Sequence, residues 1–336
     1  MRAALLTGPR EMAIVDDWPE PEASAGEVIV ELTGLGICGS DLELWSGARP
    51  IGGGFPWLIG HEGIGRIVAV GDGVPENRIA ERVVIEPNYP CGRCAACLAG
   101  RTSTCPNRVI VAINVPGLLQ ERVAVPAQFA WPAPRSVSDA DLICTEPLAV
   151  ARSAVRTSRL HSDDRCLIVG AGSQGLLVCQ LAIALGARVS ILEPQPGRRA
   201  LAERLGAVSV EPDETRYPIV FETSGSAGGV RVALDLVQPG GRVTMIGIPH
   251  EDVPVAFAAI VRDQIEIKGS LIYDHPADFR ATLDLLARGA VAPSEILTPP
   301  SPFAAVGDAI AAARDVAGKT WIAYPSSHRG NGGRPR

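Results

Sequence analysis

Four of the eight cysteines in this 336-residue chain, Cys91, Cys94, Cys97 and Cys105, are spaced C-x2-C-x2-C-x7-C. Thiolates at this spacing, in a lobe containing Gly and Pro, suit a closed tetrahedral Zn2+ site with no open position. Such an ion would pin a loop that has too little core to order itself. A second set of ligand types is dispersed: Cys38 in Gly36-Ile37-Cys38-Gly39-Ser40-Asp41, His61 and Glu62 in Gly60-His61-Glu62-Gly63, and Glu146 in Thr145-Glu146-Pro147-Leu148. A thiolate, an imidazole and a carboxylate can hold zinc while leaving a position for substrate. A cation there would make a bound alcohol more acidic and polarise a carbonyl, although each fragment by itself reads equally as packing or a surface pair.

A third constellation, Gly170-Ala171-Gly172-Ser173-Gln174-Gly175, follows an apolar run, Arg165–Val169, and opens an apolar segment that reads as a helix. In that context Gly170 permits a tight turn, Gly172 lets the backbone approach a pyrophosphate, and Gly175 lets the helix pack on the strand. Ser173 and Gln174 begin the helix whose unpaired N–H groups would meet the phosphates. Glu193 ends the next apolar run, 23 residues after Gly170, where a carboxylate accepts both ribose hydroxyls and repels a 2′-phosphate. That favours NAD over NADP, although Arg198 and Arg199 close by could attract the extra phosphate.

The elements that must position these residues change character along the chain. Ala3–Thr7, Ala13–Val15, Val28–Leu32, Ile64–Val70 and Arg82–Glu86 are short apolar or alternating runs bounded by Gly, Pro or Asp, and read as strands. From about residue 140 strands and helices alternate. Helical Asp141–Ser158 precedes strand Arg165–Val169, helix Leu176–Leu185 precedes strand Arg188–Leu192, and helix Arg198–Leu205 follows. Strand Ile219–Glu222, helix Val230–Val237 and strands Arg242–Ile246 and Ile265–Leu271 continue the pattern. The expected fold class is α/β: a β-rich first part, then a doubly wound parallel sheet covered on both faces. Helices are expected at Pro276–Gly289 and Pro302–Val316, a last strand at Lys319–Tyr324, and a disordered, basic tail over 326–336.

Composition excludes several classes of function. A chain 46% hydrophobic is not disordered, and no apolar run approaches the roughly 18 residues of a membrane span. A net charge of -6 argues against general nucleic-acid binding. Eight cysteines with no secretory-type leader suggest a soluble cytoplasmic protein whose thiols ligate metal or stay reduced. Cys144, Cys166 and Cys179 lie in apolar runs and read as small buried hydrophobes. His161, His250, His275 and His328 read as solvent-exposed loop residues. The only lysines, Lys268 and Lys319, suggest no more than a coding bias toward Arg.

Taken together, and in this order, these fragments resemble the zinc-dependent medium-chain dehydrogenase/reductase family, over nearly the whole chain to about Tyr324. The resemblance implies a GroES-like catalytic domain at 1–148 with its structural zinc lobe at 90–106, a Rossmann NAD-binding domain at 149–285, and a return to the catalytic domain at 286–325. It implies Cys38 and His61 as catalytic zinc ligands, with Glu62 and Glu146 at or near the ion as in the polyol and sugar branch. Ser40 matches the proton-relay hydroxyl. Asp41 would orient loops or ligands. The outer relay histidine of the family is replaced by Glu43, and the family's Gly-Gly-Phe-Ala-Glu-Tyr segment stands here as Gly117-Leu118-Leu119-Gln120-Glu121-Arg122. Asn114 would face substrate or cap a turn, and Trp45 and Trp57 are candidates to line the cleft. The activity implied is hydride transfer between NAD and a secondary alcohol of a polyol, sugar or (amino)cyclitol, by a homodimer or homotetramer. The alternatives are a primary alcohol, aldehyde or threonine-type dehydrogenase, and a redox-silent binding protein of the same fold.

Overall fold

A computed structural model describes residues 1–213 and 215–325. The expected tail at 326–336, with His328, lies outside the described residues. Two large sheets organise the rest. The seven-stranded sheet runs Ser301–Pro302, Trp321–Ala323, Glu27–Gly36, Glu62–Val70, Arg82–Ile85 and Ala130–Pro132, with Arg122–Pro126 also paired to Glu27–Gly36. Glu27–Gly36 is its spine because its apolar residues are buried along almost the whole length. The chain end returns to this sheet: Trp321 pairs with Gly36, and Ile37 N–H donates to the Thr320 carbonyl at 2.9 Å. That register sets Lys319 beside the residues that precede Cys38.

The six-stranded sheet is all parallel, in the order Val208–Ser209, Arg188–Leu192, Arg165–Val169, Tyr217–Glu222, Val237–Met245 and Glu266–Gly269. Arg165–Val169 reads as a near-continuous buried run because helices cover both faces of a parallel sheet. Strand order reverses between Arg165–Val169 and Tyr217–Glu222, and ligands of such sheets bind in the crevice beyond the carboxyl ends of strands at that point. One apolar core spans both units: Ile64, Val84, Ile143 and Leu148 share a cluster with Ile168, Leu176 and Leu177.

The segment expected as one helix, Asp141–Ser158, is two: Asp139–Ile143, capped by the Ser138 hydroxyl, and Thr145–Ser158. Pro147 explains the restart, since a proline lacks the N–H an interior position needs yet is tolerated in a first turn. The break places Glu146 at a helix start. The final helix is shorter than expected, Val306–Ala312. The α-helices Gly39–Ser46, Ala95–Leu98 and Phe257–Arg262, among the described residues, were not anticipated. Among the described residues, no helix is long and apolar enough to cross a membrane.

Candidate active site

Gly39–Ser46 begins directly after Cys38, and its first turn is fixed by Asp41, whose carboxylate accepts the Cys38 N–H at 2.9 Å. The other oxygen of Asp41 accepts from Gly60 N–H at 2.9 Å and lies 3.4 Å from His61 Nδ1. One fully buried carboxylate thus joins the two loops that carry Cys38 and His61. Cys38, His61 and Glu62 offer ligand atoms that all lie within 4.8 Å of one another. Because Nδ1 faces Asp41, Nε2 of His61 is left for a metal, the carboxylate–histidine–metal arrangement that fixes ring orientation. Burial disfavours a charged imidazole, but the Asp41 charge and hydrogen bond outweigh it, so without metal the His61 pKa lies well above its ordinary value. For Asp41 too, burial raises the carboxyl pKa but the His61 charge and the N–H donors win, and it is lowered.

Glu62 opens the strand Glu62–Val70 and is buried against Lys319, Nζ to Oε2 2.5 Å. Gly36 leaves room for this pair, since a Cβ at that position would fall 2.2 Å from Glu62 Oε2 where it now stands. Lys319 is 2% exposed and also donates to the Ile37 carbonyl at 3.0 Å. Burial opposes its charge, but Glu62 and the nearby thiols hold its pKa above the ordinary lysine value. Neither carboxylate oxygen of Glu62 has a hydrogen-bond partner of good geometry, which leaves Oε1 for a cation. Thiol, imidazole and an unbonded carboxylate oxygen make a donor set that fits zinc.

Glu146 lies outside the trio whose atoms converge. Its Oε1 is 3.4 Å from Asn88 Nδ2, which also reaches the Tyr273 hydroxyl at 3.1 Å. Burial is the main reason its pKa is raised to about 7; the Glu62 and Glu86 charges add to this, while His61 and Lys319 oppose it. Ser40 sits half-buried two residues beyond Cys38.

We expect Asp41→Asn to weaken zinc retention at this site by about 10–100-fold, the usual effect of losing the group behind a ligating histidine. Competition with a chelator measures it, and wild-type retention would remove Asp41 from that role.

The four sulfurs of Cys91, Cys94, Cys97 and Cys105 also lie within 4.8 Å of one another. The Arg93 and Cys94 N–H groups turned onto Cys91 lower its pKa to about 6, whereas burial and the neighbouring thiols push Cys97 up to about 12. Four thiols this close cannot all ionise without a cation between them, and a four-cysteine set is a closed zinc site. The lobe is tied to the segment after the parallel sheet: Ser103 N–H donates to Asp274 at 2.9 Å and His275 N–H to Thr102 Oγ1 at 2.6 Å. His275 corrects the expectation of a solvent-exposed loop histidine. Its Nδ1 lies 2.9 Å from the buried Glu86, which also accepts from Trp131 Nε1, and its ring packs on Phe129.

Beyond the strand ends, Val169, Gly170, Gly172, Leu192, Glu193 and Arg198 line a cavity of about 510 Å³. The three glycines differ as expected. Gly170 has φ of +98°, nothing lies within 4 Å of a Cβ at Gly172, and a Cβ at Gly175 would sit 2.0 Å from the Gly170 carbonyl. Glu193 accepts from Ala171 N–H at 2.7 Å and Gln195 N–H at 2.8 Å, which fixes its carboxylate at the cavity wall. Arg198 instead turns to the Arg314 carbonyl. Ser173 and Gln174 face the first sheet's side: Ser173 Oγ donates to the Gly318 carbonyl at 3.5 Å and Gln174 Nε2 to the Pro147 carbonyl at 3.3 Å. The start of the dinucleotide helix therefore touches the residues next to Lys319 and Glu146.

The other residues read from the sequence take the following places. The side-chain oxygen Oδ1 of Asn114 accepts from Ile110 N–H and so caps a turn, and Glu121 pairs with Arg2. Trp57 donates to the Ala112 carbonyl, and Trp45 lies under Arg10. Gly117 supports the His61 loop, since a Cβ there would sit 2.4 Å from the Ile59 carbonyl. Glu43 lies 3.5 Å from Nε2 of the exposed His250. Cys144, Cys166 and Cys179 are buried as expected. Sequence reasoning missed Lys319, Asn88, Tyr273 and Glu86. For Lys319 a signal existed: it is one of two lysines in an Arg-dominated chain.

The alcohol dehydrogenase GroES-like domain model matches residues 24–135, and the zinc-binding dehydrogenase model matches 175–288. The chain is 32% identical over 300 residues to the 2-dehydro-3-deoxy-L-galactonate 5-dehydrogenase of Pseudoalteromonas atlantica, covering 85% of this chain and 88% of that protein. It is 29% identical over 318 residues to the sorbitol dehydrogenase of Bacillus subtilis, 89% of each. The rspB alcohol dehydrogenase of Escherichia coli CFT073, solved with NADH, superposes with a TM-score of 0.89 at 26% identity, over 96% of this chain and 99% of that one. Similar proteins also include L-threonine 3-dehydrogenases and a zinc-binding dehydrogenase of Sinorhizobium meliloti bound to NADP. The chain belongs to the zinc-dependent medium-chain dehydrogenase/reductase family, with a GroES-like domain and a Rossmann sheet. It is a zinc- and NAD(P)-dependent alcohol or polyol dehydrogenase.

Proposed function

We propose that the protein transfers hydride between NAD and a secondary alcohol of a polyol, sugar or (amino)cyclitol. The observation that carries this is the junction of the two sites. Gln174 and Ser173, at the start of the dinucleotide helix, touch the residues adjoining Glu146 and Lys319, so the cofactor loop abuts the Cys38–His61–Glu62 set. Zinc held by Cys38, His61 and Glu62 supplies a Lewis acid that makes the alcohol proton easier to lose. Ser40 would relay that proton, accepting it as its own hydroxyl proton passes toward the cofactor ribose, while Asp41 holds His61 in register and Lys319 balances the Glu62 charge. The carboxylates of Glu62 and Glu146 give a harder, more hydrated site than an all-thiolate set, which suits a substrate rich in hydroxyls. Glu193, with both oxygens held at the cavity wall, supports NAD over NADP.

We propose the domain limits 1–148, 149–285 and 286–325; the parallel sheet, with strands between Arg165 and Gly269, and the return of Ser301–Pro302 and Trp321–Ala323 to the first sheet support them. We also propose a homo-oligomer. Glu266–Gly269 closes the parallel sheet with every residue exposed, and Phe257, Val261 and Leu271 stand exposed beside it. Edges of this kind pair with another chain; a monomer mass by light scattering would count against it. Eight unpaired cysteines support a cytoplasmic, reducing compartment.

The test is a panel of polyols, sugars, cyclitols, threonine and primary alcohols with NAD and with NADP, read as absorbance of the reduced cofactor. Turnover should be highest on a vicinal secondary alcohol with NAD. Turnover confined to threonine or to primary alcohols overturns the substrate class, and none on any alcohol favours the redox-silent alternative.

A further inference from the structure

A carboxylate that hydride transfer does not use lies at the carboxyl end of Tyr217–Glu222. Glu222 is fully buried. Its partners are N–H and O–H groups: Oε1 accepts from Ser224 N–H at 2.8 Å and from the Ser224 hydroxyl, and Oε2 from Gly225 N–H at 3.3 Å. Its main-chain carbonyl accepts from Ile246 N–H at 2.8 Å and Gly247 N–H at 3.1 Å. One residue therefore holds the turn after its own strand and the segment after the next strand, Val237–Met245.

The two segments are walls of different spaces. Thr223, Ser224, Ser226 and Gly228 line the cavity that holds Gly172 and Glu193, whereas Ile246, Gly247 and Ile248 line a neighbouring cavity of about 760 Å³. They meet backbone to backbone around the carboxylate. A Cβ at Gly247 would fall 2.2 Å from Gly225 N and 2.5 Å from Glu222 Oε2, and one at Gly229 would fall 2.7 Å from Oε1. Only an acceptor satisfies this ring of donors. An amide would aim its own N–H at one of them, and an aliphatic chain would leave them unpaired in a buried place.

We infer that Glu222 is a positioning residue for the cofactor, its carboxylate fixing the spacing of the two loops at the switch point and so the fit of NAD between them. This rests on the dinucleotide reading of the cavity. Glu222 touches neither the metal set nor the reacting atoms, so its loss should act on cofactor binding and spare the chemical step.

The experiment is NAD titration and steady-state kinetics on the zinc-loaded Glu222→Gln enzyme. We expect Kd and KM for NAD to rise about tenfold, the factor expected for one charge-assisted hydrogen bond. At saturating NAD, kcat should stay within about twofold of wild type, and the rise in Tm on adding NAD should shrink. Glu222→Asp keeps an acceptor-only group with shorter reach, should fall between wild type and Gln, and carries the test if the Gln variant does not fold. Wild-type NAD affinity in both variants overturns the inference, as does a fall in kcat or Tm with NAD affinity intact. Failure of the wild-type enzyme to bind NAD would instead overturn the cofactor reading and this inference with it.

Discussion

Cys38→Ala and His61→Ala should each lower kcat/KM by at least about a thousandfold, since several kcal/mol of charge stabilisation leave with the ion. Cofactor binding should survive almost unchanged, because the cavity beside Gly172 and Glu193 is lined by residues of the parallel sheet and its loops. The split between the two readouts is the informative part. Truncating a residue that merely packs would disturb both or neither, whereas a ligand shared by Cys38, His61 and Glu62 serves only the alcohol. NAD titration beside an alcohol-dependent rate measures the split. Activity retained in either variant contradicts a catalytic ion at this place.

Cys94→Ser should act on the fold first. The lobe Cys91–Cys105 has almost no apolar core: Leu98 is 77% exposed, and the helix Ala95–Leu98 has no buried residue. Its order must come from the ion, and a closed four-thiolate site contributes folding energy directly. The loss should lower Tm by roughly 10 °C, taking a few kcal/mol in a chain of this size. It should also spread toward the active site, because Thr102 and Ser103 hold His275 and Asp274, next to Tyr273 and its contact with Asn88. An unchanged melting temperature in the fully folded variant would contradict a structural ion.

What was legible in the sequence was local. The Gly170–Gly175 turn, the four-cysteine lobe and the strands Arg165–Val169 and Arg188–Leu192 carry their signals within a few residues, and the structure has them where the spacing puts them. Cys38 and His61 became legible only as members of a known pattern, since nothing in two separate loops says that one buried aspartate joins them. Glu62 with Lys319, and Asn88 with Tyr273, pair segments from opposite ends of the chain and leave no periodicity to read. The helix Gly39–Ser46 was missed because it is short and weakly amphipathic, although Asp41 three residues after its cap was a usable start signal. His275 was misjudged for a related reason: its sequence neighbours are polar, but its partner Glu86 is distant in sequence and directly follows the strand Arg82–Ile85 of the seven-stranded sheet.

The most direct test of the account is a crystal of the zinc-loaded enzyme with NAD, measured at energies above and below the zinc absorption edge. Two anomalous peaks per chain are expected, one enclosed by Cys91, Cys94, Cys97 and Cys105, the other in contact with Cys38 Sγ and His61 Nε2 beside the nicotinamide. A fully loaded, active enzyme with no peak between Cys38 and His61 would contradict it.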